Sequence, residues 1–292
     1  MRMTQAPAGR RRLLSASDHR REYEGYTYVY PVVSRRAGGV SIGINLNPNN
    51  ACNWRCIYCQ VPGLVRGAPP PVVLDKLRLE LSALVQDVIR GDFLSRYVPE
   101  DARRLNDIAL SGNGEPTSAR EFDRVIALIA EVRREADVPA EVKSVLITNG
   151  SLMHRPVIAQ AVGAMAQLNG EVWFKLDHAT DAGLRQVNNT RVGMARVKRN
   201  LKLAAGACRT WIQTCVFLLD GKGPGAAETA AYLDFLRSAI TEGVPVEGVL
   251  LYGLARQSFQ PEATRLTRMP DPEVEELAKQ IRALGLAVKI FP

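Results

Sequence analysis

An α/β fold built on a parallel sheet, a barrel or part of one, is predicted by three features of this 292-residue chain. Past residue 40, short β-branched apolar runs alternate with longer stretches of helical period. The spacing between runs calls for crossover connections, because parallel neighbours cannot be joined by a tight hairpin. The polar residues that carry chemistry fall at the C-terminal ends of the runs in successive units, where barrels hold their sites, which favours a barrel over the alternative, a doubly wound open sheet with the same alternation.

The predicted strands occupy residues 41–46, 107–110, 145–148, 171–176, 211–218 and 246–252, and residues 287–291 offer a seventh. Between them, Leu77, Leu81, Leu84, Val85 and Val88 share one helical face. Phe122, Val125, Ile126, Ile129 and Val132 share a second, and Val274, Leu277, Ile281 and Leu284 a third. Asp271 and Pro272 mark the start of that last helix and Gly285 its stop. Pro69, Pro70 and Pro71 form a rigid lead-in to the first helix.

The chain is 46% hydrophobic and 23% charged, the balance of a folded protein with a sizeable core. No run approaches the roughly 18 apolar residues of a membrane helix, and no apolar stretch follows the arginine-rich start. A cytoplasmic protein with no membrane association is therefore expected. The net charge of +8 is concentrated at the front, where Arg2, Arg10, Arg11, Arg12, Arg20, Arg21, Arg35 and Arg36 face only three acidic residues in the first 40. Such an arm is either a solvated terminus or a grip on phosphates, and the second reading makes nucleic acid a partner.

Three of the five cysteines, Cys52, Cys56 and Cys59, lie within eight residues, directly after the first predicted strand. This is not the spread-out spacing of a disulfide framework. The turn residues Asn47, Pro48, Asn49 and Asn50 before them predict a loop at the strand's C-terminal end. Structural zinc closes with four ligands, and His19, His154 and His178 are all remote in sequence. An iron-sulfur cubane held by three thiolates leaves one iron open to an exogenous ligand. A Cys3His zinc site, its histidine supplied from a distance, stays as the alternative.

The C-x3-C-x2-C spacing with Tyr58 before the last cysteine resembles the signature of the radical S-adenosylmethionine superfamily. The resemblance implies a partial (β/α)6 barrel whose three cysteines hold one [4Fe-4S] cluster, with S-adenosylmethionine chelating the fourth iron and Tyr58 near its adenine. Ser111-Gly112-Asn113-Gly114-Glu115-Pro116 at the end of the second strand is similar to the family's Gly-Gly-Glu motif. Asn113, Gly114 and Glu115 would then bind the methionine amino group, although Asn113 stands where a glycine is common. Thr148-Asn149-Gly150 ends the third strand as a simple turn or as a further cofactor contact.

Lys175 and Asp177 end the fourth strand, and charge at a barrel rim either lines a site or forms a mutual salt bridge. In the family this position contacts ribose or substrate. Gln213 shares an alternating face with Trp211 and Cys215 on the fifth strand. That face either packs against a helix or meets a ligand, which the resemblance implies is the adenosyl group. Arg256, past the sixth strand, is either a clamp for a substrate carboxylate or phosphate, or a surface ion pair. Cys208 and Cys215 are read as bystanders, so a single cluster is expected.

The implied activity is reductive cleavage of S-adenosylmethionine and use of the 5'-deoxyadenosyl radical on RNA or tRNA, on a peptide or protein, or on a metabolite, with an electron donor such as flavodoxin or ferredoxin. The other class of reading is a non-catalytic zinc or iron-sulfur protein that binds nucleic acid. The expected layout is a basic extension over residues 1–38, the barrel over 39–255, and a helix-strand extension over 256–292 packing on it.

Overall fold

A computed structural model describes residues 13–15, 23–34 and 38–291. All eight arginines of the basic arm lie outside the described residues. The fold is an eight-stranded sheet covered by helices. Its strands are β1 (Val29–Ser34), β2 (Gly39–Ile44), β3 (Leu105–Leu110), β4 (Lys143–Thr148), β5 (Gly170–Lys175), β6 (Thr210–Cys215), β7 (Val246–Tyr252) and β8 (Ala287–Phe291). They lie side by side in chain order, and β1 is antiparallel to β2 while each later pair is parallel. A doubly wound sheet reverses its order at a switch point. This one never does, so every right-handed crossover passes on the same side and the sheet curls as in a barrel. β1 and β8 do not pair, and the barrel stays open between them.

The crossovers carry α1 (Leu74–Arg90), α2 (Phe93–Tyr97), α3 (Phe122–Glu135), α4 (Pro156–Ala166), α5 (Asp181–Asn188), α6 (Met194–Ala207), α7 (Ala226–Thr241) and α8 (Asp271–Arg282). Leu77, Leu81, Leu84, Val85 and Val88 of α1 and Phe122, Val125, Ile126, Ile129 and Val132 of α3 are buried, the faces that their spacing predicts. They join one continuous core with the outer faces of β2 to β7.

Both ends of the chain add a strand to the sheet. Residues 29–34, assigned to the basic extension, are the edge strand β1. Glu80 explains its anchoring: this buried carboxylate on the apolar face of α1 accepts the N–H groups of Thr27, Tyr28 and Val29 at 2.8, 2.8 and 3.2 Å. A buried charge is tolerated when hydrogen-bonded in this way. At the other end, β8 continues the sheet beside β7. The predicted strand 211–218 also divides, since β6 stops at Cys215 and Phe217–Leu219 pairs instead with Leu266–Arg268.

Candidate active site

The C-terminal ends of the strands surround a cavity of about 700 Å³. Cys52, Cys56 and Cys59 line it from the loop after β2, together with Tyr58. Asn113, Gly114 and Glu115 line it from the loop after β3, Thr148 and Asn149 from the end of β4, Lys175 from β5, Gln213 from β6 and Arg256 from beyond β7. Thus twelve of the thirteen predicted site residues share one cavity. Gln213 reaches it because inward and outward side chains alternate along β6; Cys215 lies on the same wall. Asp177 is the exception. It sits behind Tyr58, in the wall of a smaller cavity of about 420 Å³ between α5 and α7.

The cysteine loop is shaped by asparagines. Asn45 Oδ1 accepts the N–H groups of Asn47 and Asn113, both at 3.0 Å, joining the ends of β2 and β3. Asn47 Nδ2 donates to Ala51 O at 2.8 Å, and Asn113 Nδ2 donates to Asn50 Oδ1 at 2.6 Å. Asn53 ties the loop to β4, accepting from Asn149 Nδ2 at 2.8 Å and donating to Ser151 Oγ at 2.9 Å. Gly114 passes so near this loop that a Cβ there would stand 2.0 Å from Ala51 O, which accounts for glycine at that position.

Glu115 is 2% exposed. Its Oε1 accepts from Thr117 N at 3.2 Å, Thr117 Oγ1 at 2.6 Å and Thr148 Oγ1 at 2.5 Å, and its Oε2 accepts from Asn149 N at 2.7 Å. Burial raises its pKa, and these hydrogen bonds only partly offset that rise. The carboxylate is therefore rigidly held and poorly solvated, a setting that a ligand ammonium would relieve.

On the opposite wall, Lys175 Nζ donates to Tyr58 OH at 2.5 Å and Tyr252 OH at 2.9 Å, and stands 3.8 Å from Asp177 Oδ2. Burial, the largest single influence, would depress the lysine pKa, but Asp177 together with Tyr252, Cys56 and Cys215 outweighs it and raises the pKa well above its ordinary value. Tyr58 OH donates to Asp177 Oδ2 at 2.5 Å, and Cys215 N donates to Asp177 Oδ1 at 3.0 Å. Lys175 and Asp177 thus belong to one network, with only the lysine facing the main cavity.

Two segments far away in sequence brace the cysteine loop. At the end of α5, the carbonyls of Val187 and Asn188 accept from Ile57 N at 2.8 Å and Arg55 N at 3.2 Å, so helix-terminal acceptors are satisfied by the loop. From beyond β7, Ser258 Oγ donates to Ile57 O at 2.7 Å and Cys59 O at 3.1 Å, and Phe259 N donates to Cys59 O at 3.0 Å. Gln260 Nε2 donates to Val61 O at 3.3 Å, and Arg55 and Glu262 form a two-pronged ion pair at 2.8 Å. Sequence reasoning missed Asn188, Ser258 and Gln260. Ser258→Ala should cost about 1–3 kcal/mol, because it removes the hydroxyl that the buried Ile57 carbonyl accepts from, while Cys59 O keeps Phe259 N; a thermal melt showing no loss of stability would contradict this bracing.

Burial pushes the Cys52 thiol up to about 12 and the Cys56 thiol up to about 11. A metal ligand must be a thiolate, so these positions favour the charged form only when a cationic group compensates. Among the described residues, no three His, Cys, Asp or Glu side chains stand close enough to hold a single metal ion. Mononuclear zinc needs its ligands within about 2.0–2.3 Å of one centre, so the Cys3His alternative finds no support. A multi-iron cluster places its thiolates on separate irons and makes no such demand. Three cysteines around the mouth of one wide cavity fit that donor set.

A barrel-like sheet carrying a three-cysteine loop and a buried carboxylate over a rim cavity defines a cofactor-dependent α/β enzyme. The family model of the radical SAM superfamily matches residues 46–236, and the chain belongs to that superfamily. The family implies S-adenosylmethionine and a [4Fe-4S] cluster as cofactors. Among curated proteins, the chain is 29% identical over 133 residues to a UPF0026 protein of Helicobacter pylori, covering 45% of this chain and 37% of that protein. It is 28% identical over 169 residues to a UPF0026 protein of Methanocaldococcus jannaschii, covering 54% and 42%. It therefore spans about two fifths of the length of these relatives. Among solved structures, a radical SAM methyltransferase from Sphaerobacter thermophilus superposes with a TM-score of 0.57 at 15% identity, covering 90% of this chain and 68% of that one, a likeness of fold. Among the described residues, no helix is long and apolar enough to cross a membrane.

Proposed function

We propose that the protein binds one [4Fe-4S] cluster through Cys52, Cys56 and Cys59 and S-adenosylmethionine in the adjoining cavity, and uses the pair for radical chemistry on a substrate. A cluster held by these three thiolates would supply the electron for reductive cleavage of S-adenosylmethionine to methionine and a 5'-deoxyadenosyl radical. The observation that carries this reading is the opening of the cysteine loop and the buried Glu115 carboxylate onto one cavity at the strand ends. In it, Glu115 accepts hydrogen bonds from the methionine ammonium. Gly114 lets the ligand approach the backbone, and Tyr58 and Gln213 flank the adenosyl group. Thr148 and Asn149 hold Glu115 in place. Lys175, kept charged by Asp177 together with its other neighbours, offers a cation to a ribose hydroxyl or a substrate anion, and Arg256 offers a second.

Anaerobic reconstitution with iron, sulfide and a strong reductant should give a brown protein that converts S-adenosylmethionine into 5'-deoxyadenosine. Tight zinc with no iron-sulfur absorbance would refute the assignment. RNA or tRNA, a peptide or protein, and a metabolite remain the substrate classes, with flavodoxin or ferredoxin as electron donor. The nucleic-acid class rests on the charge of residues 1–40. Deleting residues 1–20 should weaken RNA binding and flatten its dependence on salt, because fewer phosphates are then neutralised and fewer counterions released. Unchanged binding in a filter or polarisation assay would remove that class.

A further inference from the structure

Asn188 ends α5 and is fully buried, directly behind the cysteine loop. Its Nδ2 donates to Cys56 Sγ at 3.2 Å and to Asp177 Oδ2 at 2.7 Å. Both neighbours are acceptors once Cys56 is a ligating thiolate, so only the amide nitrogen can face them; the carbonyl Oδ1 is left with no hydrogen-bond partner. A buried orphan acceptor is a cost the fold bears to aim two N–H bonds at a sulfur and a carboxylate. Asp177 is itself fixed by Tyr58 and by Cys215 N, so the donor cannot swing away.

We propose that Asn188 is a positioning residue that raises the reduction potential of the cluster through its hydrogen bond to Cys56 Sγ. This rests on the cluster assignment made above. Hydrogen bonds to cluster sulfurs favour the reduced, more negative state, because they stabilise the charge added on reduction. Asp177 acts one step further out by orienting the amide, and through Tyr58 it connects the cluster ligand to Lys175 on the cavity wall.

The test compares reconstituted wild-type protein with Asn188→Leu and Asn188→Asp, following the cluster's one-electron midpoint by redox titration under electron paramagnetic resonance and counting iron and sulfide. Leucine keeps the volume and removes the donor; aspartate keeps the shape and turns an acceptor toward the sulfur. With iron content unchanged, Asn188→Leu should shift the reduction equilibrium about tenfold toward the oxidised cluster, close to 59 mV for a one-electron couple, and Asn188→Asp should shift it at least as far. A wild-type midpoint in either variant that holds its cluster would overturn the proposal and leave the cluster assignment standing. Loss of the cluster from both variants, with wild-type circular dichroism and melting, would assign Asn188 to cluster assembly and overturn the redox role. Wild-type protein that holds no [4Fe-4S] cluster would instead overturn the assignment on which the proposal rests.

Discussion

Cys56→Ala is expected to reduce 5'-deoxyadenosine formation to background and to remove the cluster's visible absorbance. Cys56 contributes a sulfur to the cavity from the middle of a loop held on both sides, by α5 and by residues 258–260. Cys208 is buried at the end of α6, and Cys215 lines the same cavity from β6, outside the cysteine loop. The thermodynamic effect on the protein before reconstitution should be modest, about 1 kcal/mol, the usual scale for a single substitution. Cys208→Ala serves as the matched control, since its sulfur packs beside Gly170 and away from the cavity. Anaerobic turnover with product detection by mass spectrometry reads the outcome, and a Cys56→Ala protein producing 5'-deoxyadenosine at the wild-type rate would refute the role of that thiol.

Glu115→Gln should weaken S-adenosylmethionine binding at least tenfold and destabilise the fold. The amide replaces Oε2 with a donor that meets the N–H of Asn149, a mismatch worth about 1–3 kcal/mol. Its pH dependence has a definite sign. Burial raises the Glu115 pKa above the ordinary value of 4.5, so the folded state binds this proton more tightly than the unfolded state. Its contribution to stability is complete below the unfolded pKa and is lost as pH rises through the folded one. Protonation is tolerated at Oε1, where the hydroxyls of Thr117 and Thr148 can reverse from donor to acceptor. The gap in stability between wild type and Glu115→Gln should therefore be widest below about pH 4.5 and should narrow as pH rises toward neutrality. Denaturant titrations at two pH values measure it, and a gap that widens with pH would reverse the argument.

The two substitutions probe the parts of the site that are most legible in the sequence. Strand-end motifs are local: Cys52, Cys56 and Cys59 span eight residues, and Asn113, Gly114 and Glu115 are contiguous, so spacing alone brings their groups together. The parallel sheet is legible for a similar reason, because each strand is a short apolar run followed by its own helix. What the sequence hides is contributed from a distance. Asn188 lies 132 positions from Cys56, and Ser258 lies 201 positions from Ile57. An asparagine near a helix end and a serine in a loop have no pattern that points to a partner. Strand β1 is hidden because arginines surround its short apolar run, and its anchor, Glu80, looks like a surface residue until the fold buries it. Asp177 reads as a rim contact because the chain gives its position on the strand but not the phenol of Tyr58 standing in front of it.

The clasp formed by residues 258–262 bears on how the chain can be divided. A protein ending at residue 255 would keep the six parallel strands β2 to β7, and by strand count its barrel would look complete. It would lose every donor that holds the carbonyls of Ile57, Cys59 and Val61 from that side, along with the carboxylate that grips Arg55. A truncation or chimaera that exchanges residues 256–292 without the cysteine loop would separate the cysteines from that support.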